Sequence, residues 1–208
     1  MLTTFLRRIA FVFAVSTLLG LPVLANAQTA APSAASNKAS AIFAGGCFWC
    51  IEKDFEKLQG VIEVESGYTA GKTAKPTYEQ VSAGRTGHTE AVRVHYDPSK
   101  VSYAQLVEYF WRHIDPTVKD QQFCDHGTQY RSGIYYLDEA QKAEAQAFVQ
   151  EMAAHYPQPI ATEIAAAQTF HPAEAYHQHY FANNPQAGYC QMVVAPKFLK
   201  ARTKYADL

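Results

Sequence analysis

Ala41-Ile42-Phe43-Ala44-Gly45-Gly46-Cys47-Phe48-Trp49-Cys50 sets the reading of the whole chain. Its first four residues are an apolar run of strand length, and two glycines break it. Ile51-Glu52-Lys53-Asp54-Phe55-Glu56-Lys57-Leu58-Gln59 then reads as a helix closed by Gly60. Cys47 therefore falls where a strand turns into a helix. Backbone N–H groups are exposed at such a turn and the helix dipole presents its positive end, so an anion is favoured there; a thiolate is the anion available. An ordinary thiol of pKa ~8.5 is only about 3% ionised at neutral pH, so any lowering of that pKa enlarges the reactive fraction. Cys47 is the candidate nucleophile.

Towards the N-terminus the chain has the layout of an export signal. Arg7 and Arg8 form a charged start, Ile9 to Leu24 an apolar block, and Ala25-Asn26-Ala27 a small-x-small cleavage site. The block is short for a spanning helix, so cleavage is preferred to a retained anchor. The residues around the arginine pair fit a twin-arginine signal poorly, which favours the general secretory route. Residues 1–27 are thus expected to be a signal peptide, residues 28–40, rich in Ala and Ser, a flexible linker, and residues 41–208 a single catalytic domain in a periplasmic or secreted protein. The net charge of −1 gives no electrostatic argument for nucleic acid. In an oxidising compartment Cys47, Cys50, Cys124 and Cys190 could form two structural disulfides in any of three connectivities. The Phe-Trp pair between the first two thiols argues against that, since a structural bridge has no need of aromatics at a helix start.

Towards the C-terminus, Val61 to Ser66 alternates as a strand and Gly67-Tyr68-Thr69-Ala70-Gly71 reads as a turn. Lys75 to Val81 suggests a short helix, and Thr89 to Tyr96 a second alternating strand. Ser102 caps a helix whose Tyr103, Leu106, Val107, Phe110, Trp111 and Ile114 fall on one apolar face. A polar loop from Thr117 to Gln129 contains Cys124 and Asp125, and Tyr130 to Leu137 follows as a strand. Strand, helix, strand, strand, helix, strand is the order of a split β-α-β sandwich, an α/β (α+β) fold with a mostly antiparallel sheet and helices on one face. Asp138 caps a further helix to about His155; Ile160 to Ala165 reads as a short strand and Glu174 to Phe181 as a last helical turn or two. From Asn183 a long irregular tail carries Cys190.

Gly-Cys-Phe-Trp at 46–49, Ser-Gly-Tyr at 66–68, Pro-Thr-Tyr-Glu-Gln-Val at 76–81, Gly-Arg-Thr-Gly-His-Thr-Glu at 84–90, Asp-Pro-Thr at 115–117, Gly-Thr-Gln-Tyr-Arg-Ser at 127–132, Ala-Glu-Ala-Tyr-His-Gln at 173–178 and Gly-Tyr-Cys at 188–190 together resemble the peptide methionine sulfoxide reductases of the A type. The resemblance runs from about Ala41 to about Lys197 and implies a ferredoxin-like plait. It further implies reduction of the S epimer of methionine sulfoxide, free and in proteins, as repair of oxidative damage. A sulfoxide sulfur is a poor electrophile until its oxygen is protonated, so thiolate attack needs an acid and hydrogen-bond donors aimed at that oxygen. Glu90 is the candidate acid, a carboxyl that shielding by Tyr and Trp would keep protonated. Tyr68 and Tyr130 are candidate donors. By resemblance these three and Asp125 occupy the positions that polarise the oxygen, and Phe48 and Trp49 those of a pocket for the terminal methyl group. Attack leaves Cys47 as a sulfenic acid, which a second thiol must resolve. Spacing allows Cys50, one helical turn away; the resemblance favours Cys190. The disulfide then requires an outside dithiol protein of thioredoxin type.

No cofactor or metal is expected, and the protein is expected to be a monomer. His171, Glu174, His177 and His179 invite a metal reading, which the match at 173–178 displaces. Tyr103, Tyr109, Tyr135 and Tyr136 read as packing residues, His88 and His126 as loop hydrogen-bonders, and Cys124 as a buried inert thiol. Two other classes of function compete: a general thiol–disulfide oxidoreductase using Cys47 and Cys50, and a disulfide-stapled binding module.

Overall fold

The computed structural model describes residues 37–188. Its first strand, β1 (Ala39–Gly45), begins two residues before the expected domain start, inside the stretch read as linker. Its alternation builds two cores: Ala41 and Phe43 point into the main one, Ile42 and Ala44 into a smaller one on the opposite face with Ala91 and Tyr135. At Gly46 the backbone takes φ 88°, a region side chains avoid, and the chain reverses into α1 (Phe48–Phe55). Phe48, Ile51 and Phe55, three and four residues apart, bury that helix against the sheet.

β2 (Val61–Thr69) runs three residues beyond the predicted strand, because Gly67, Tyr68 and Thr69 pair with the next strand and do not turn. α2 (Tyr78–Ser82) starts at a capping box made by Thr77 and Gln80, and β3 (Thr89–Tyr96) follows. In α3 (Tyr103–Trp111), opened by a second capping box from Ser102 and Gln105, the predicted apolar stripe is buried. The polar loop at 117–129 is more structured than expected: β4 (Gln121–Gln122) and β5 (Asp125–His126) form a small hairpin, followed by a 3-10 turn over Thr128–Tyr130. Cys124 sits in the turn of that hairpin and is exposed, not buried, because a two-residue connection leaves no room to fold its side chain inward.

β6 (Ser132–Tyr136), α4 (Glu139–Ala153) and β7 (Glu163–Ala166) come next, and β7 lies parallel to β6. β8 (His171–Pro172) was not foreseen, since two residues ending in Pro carry no alternation to read. The helix expected over Glu174 to Phe181 splits into a 3-10 turn over Ala175–His177 and α5 (Tyr180–Asn183), divided by His179, which is left-handed at φ 52°. The six-stranded sheet has the order β7-β6-β1-β3-β2-β8 and is antiparallel except at β6–β7. α1 and α3 pack on one face of it through Phe43, Val92 and Val94. Residues 1–27, most of the stretch read as linker, and Cys190 lie outside the described residues.

Candidate active site

Antiparallel pairing gathers the site at one end of the sheet. β1 ends where β3 and β6 begin, because it runs antiparallel to both, and β2 ends beside the start of β3. Gly45 pairs with Ser132, which brings the 3-10 turn holding Tyr130 next to Cys47, and Tyr68 pairs directly with Glu90. Residues far apart in sequence thus share one corner for purely topological reasons.

Cys47 is the N-cap of α1 and only 5% exposed, so its sulfur lies within the protein at the positive end of the helix. The Glu90 carboxylate group, 1% exposed, accepts the N–H of Phe48, the first residue of α1, at 2.9 Å. One helix start therefore holds both the thiol and the carboxyl. Tyr130 is kept in place by its neighbours: Thr89 donates through its hydroxyl to the carbonyls of Gln129 (3.1 Å) and Arg131 (3.2 Å), and the Tyr130 N–H reaches Gly127. Burial pushes the Tyr130 phenol upward, and the charges of Glu90, Asp125 and Cys47 add to that. Tyr78 is pushed up to about 12 by burial first, then by Glu90, Cys47 and Asp125 among its neighbours. Both phenols thus keep their protons and stand as donors within the electrostatic reach of the same three groups.

Tyr68 behaves differently. It is fully buried and its hydroxyl donates to Glu174 Oε2 at 2.9 Å, so its one proton is already committed. Burial works against the Glu174 charge, yet the N–H of Tyr78 and the Tyr68 hydroxyl outweigh it and hold this carboxyl below its ordinary value. Phe48 is buried among Trp49, Tyr68, Tyr78 and His177, and Trp49 is half-buried with its face stacked on Tyr180 at 3.8 Å between ring centres. The expected pair Phe48 and Trp49 is therefore part of a larger aromatic box. Tyr78, Glu174, His177 and Tyr180 were not foreseen in it, although two of the matched motifs contain the first three. Gln178 clamps the segment by accepting from the N–H of Ser66 and donating to its carbonyl, both at 2.9 Å.

Cys50 is 2% exposed in the same small cluster as Cys47, its N–H bonded to the Cys47 carbonyl, and Phe181 of α5 packs over the pair. The histidines weighed for a metal do not converge: His177 faces Trp49, His171 sits edge-on to His88, and His179 turns to Glu56. His88 bonds the Gly71 N–H and the Thr73 carbonyl, and His126 bonds the Gln121 side chain.

The family model described as peptide methionine sulfoxide reductase matches residues 39–207. Peptide methionine sulfoxide reductase MsrA of Thermus thermophilus is 51% identical over 168 residues, 81% of this chain and 96% of that one. Its counterpart from Pasteurella multocida is 48% identical, with 81% and 97% covered. Among solved structures, reduced Mxr1 from Saccharomyces cerevisiae superposes with TM-score 0.71 at 32% identity, covering 75% of this chain and 91% of that one.

Proposed function

The chain belongs to the peptide methionine sulfoxide reductase family, and from that premise we propose how its own residues return methionine S-sulfoxide, free or within oxidised proteins, to methionine. The Cys47 thiolate attacks the sulfoxide sulfur while Glu90 gives a proton to the oxygen. The protonated oxygen then passes as hydroxyl to the Cys47 sulfur as the new S–S bond breaks, leaving a sulfenic acid on Cys47 and releasing the thioether as methionine. Glu90 is placed for that role by position: it is 1% exposed and meets the same helix start as the thiol. Tyr130 and Asp125 complete the polarising group, and Tyr68 joins it only by releasing Glu174. Phe48 and Trp49 receive the terminal methyl group. The observation that carries this reading is the shared helix start, with Cys47 as N-cap and Glu90 bound to the next N–H.

Cys190 is our preferred resolving thiol and Cys50 the alternative. Condensation of either with the sulfenic acid forms a disulfide and releases water. A thioredoxin-like dithiol protein then reduces the bridge; Mxr1 has been seen in complex with Trx2. We read the strand order β6-β1-β3-β2 as a ferredoxin-like plait. Export through residues 1–27, a linker, a single catalytic domain, a periplasmic or secreted location and a monomeric state complete the proposal. A general thiol–disulfide oxidoreductase is not favoured, because the matched family and its relatives carry a different activity.

The test is turnover of the two separated methionine sulfoxide epimers with dithiothreitol. The S epimer alone should be consumed and Cys47→Ser should consume neither; turnover by the Ser variant would remove Cys47 from the reaction. Mapping the disulfide after one turnover without reductant distinguishes Cys190 from Cys50.

A further inference from the structure

His177 is 1% exposed and its ring lies against Phe48, Trp49, Tyr78 and Tyr176, with centres 5.2, 5.5, 4.3 and 4.1 Å apart respectively. The indole N–H of Trp49 donates to its Nδ1 at 3.1 Å. A ring nitrogen that accepts carries no proton, so in the neutral ring the proton is on Nε2. That atom is buried without a hydrogen-bond partner among the described residues, 4.0 Å from Glu174 Oε2. Nδ1 therefore carries the one side-chain hydrogen bond of this ring among the described residues.

What that bond does is orient Trp49. The indole is half-buried in the first turn of α1, and its flat face stacks on Tyr180, a contact that tolerates sliding of one ring over the other. The bond to Nδ1 closes that freedom. The turn bearing His177 is itself pinned, since Glu174 holds the Tyr68 hydroxyl and the Tyr78 N–H. We propose that His177 is a positioning residue: as the neutral tautomer it locks the Trp49 indole and thereby sets the shape of the pocket that receives the substrate's methyl group. This rests on the reading of Trp49 as pocket wall given above. Burial holds the imidazole below its ordinary pKa, while Glu174 and Glu79 act the other way; Tyr78 and Tyr176 are the other titratable groups facing it. Protonation would set one N–H against another and break the lock.

The chain has two tryptophans, so a 15N-labelled indole spectrum has two N–H resonances, and Trp111, bonded to the Tyr156 hydroxyl, serves as reference. His177→Phe keeps the ring stacking and removes the acceptor; it should move the Trp49 resonance and raise KM for methionine sulfoxide roughly tenfold with little change in kcat, the scale of one hydrogen bond. His177→Gln restores an acceptor and should recover most of KM. In a Trp49→Phe background His177→Phe should cost nothing further. An unmoved indole resonance, or an equal loss in that background, overturns the proposal while leaving the pocket reading intact. An unchanged KM in Trp49→Phe alone overturns the pocket reading and this inference with it. Should His177→Phe not fold, solvent exchange of the wild-type Trp49 indole N–H decides: exchange slowed well below that of a free indole supports the lock, and exchange at the free rate refutes it.

Discussion

At the scale of single residues, Glu90 has the most to lose. Glu90→Gln keeps an oxygen for the Phe48 N–H but has no proton to release, so single-turnover methionine formation should fall by about a hundredfold or more while the melting temperature changes little. Tyr130 and Tyr68 separate on the same assay. The Tyr68 proton is given to Glu174, so Tyr130→Phe should slow reduction more than Tyr68→Phe; the reverse order would make Tyr68 the donor to the sulfoxide oxygen. The strand-to-helix turn at Cys47 was legible in the sequence, and the structure brings Glu90 to the same helix start; the roles proposed for the two rest on the reaction's need for a thiolate and an acid. The places of Glu174 and His177 were not legible. Their roles depend on a two-residue strand folding the C-terminal segment back onto β2, and nothing in Ala173 to Gln178 itself encodes that docking.

At the scale of elements, the amphipathic stripe of α3 was readable because one face packs and the other does not. The end of β2 was misread because Gly67 suggests a turn. Its glycine has another cause: a Cβ there would lie 2.5 Å from the His171 carbonyl oxygen, so the position is small to admit β8. Gly46 is the opposite case, a glycine required by its own backbone. Gly46→Ala forces a side chain into φ 88° and should cost about 1–2 kcal/mol in urea denaturation. It should also change the rate at which Cys47 reacts with a small thiol reagent, because the turn aims that residue.

Across the whole molecule, α1 and the C-terminal segment are joined at a buried acid. Glu52, 1% exposed, accepts the N–H of His179 at 2.9 Å, and burial, reinforced by the charge of Glu56, raises it to about 7. The unfolded chain gives up this proton near pH 4.5 while the folded protein keeps it to about 7, so stability falls as pH rises through that window. The fall is at most about 3 kcal/mol, and less where solvent screens the group. Glu52→Gln keeps the acceptor and removes the titration. It should match the wild type near pH 5 and exceed it near pH 8 in denaturant midpoint, and parallel curves at both would mean that Glu52 is ionised throughout.

The pairing of β8 with β2 also bears on when the protein becomes active. A growing polypeptide can assemble the first three central strands and their helices before its last stretch is made, but the aromatic enclosure waits for that stretch to arrive. Until then Cys47 and Cys50 lack the cover of Phe181 and Trp49 lacks its stacking partner Tyr180, so the site is completed only by the last stretch of the chain.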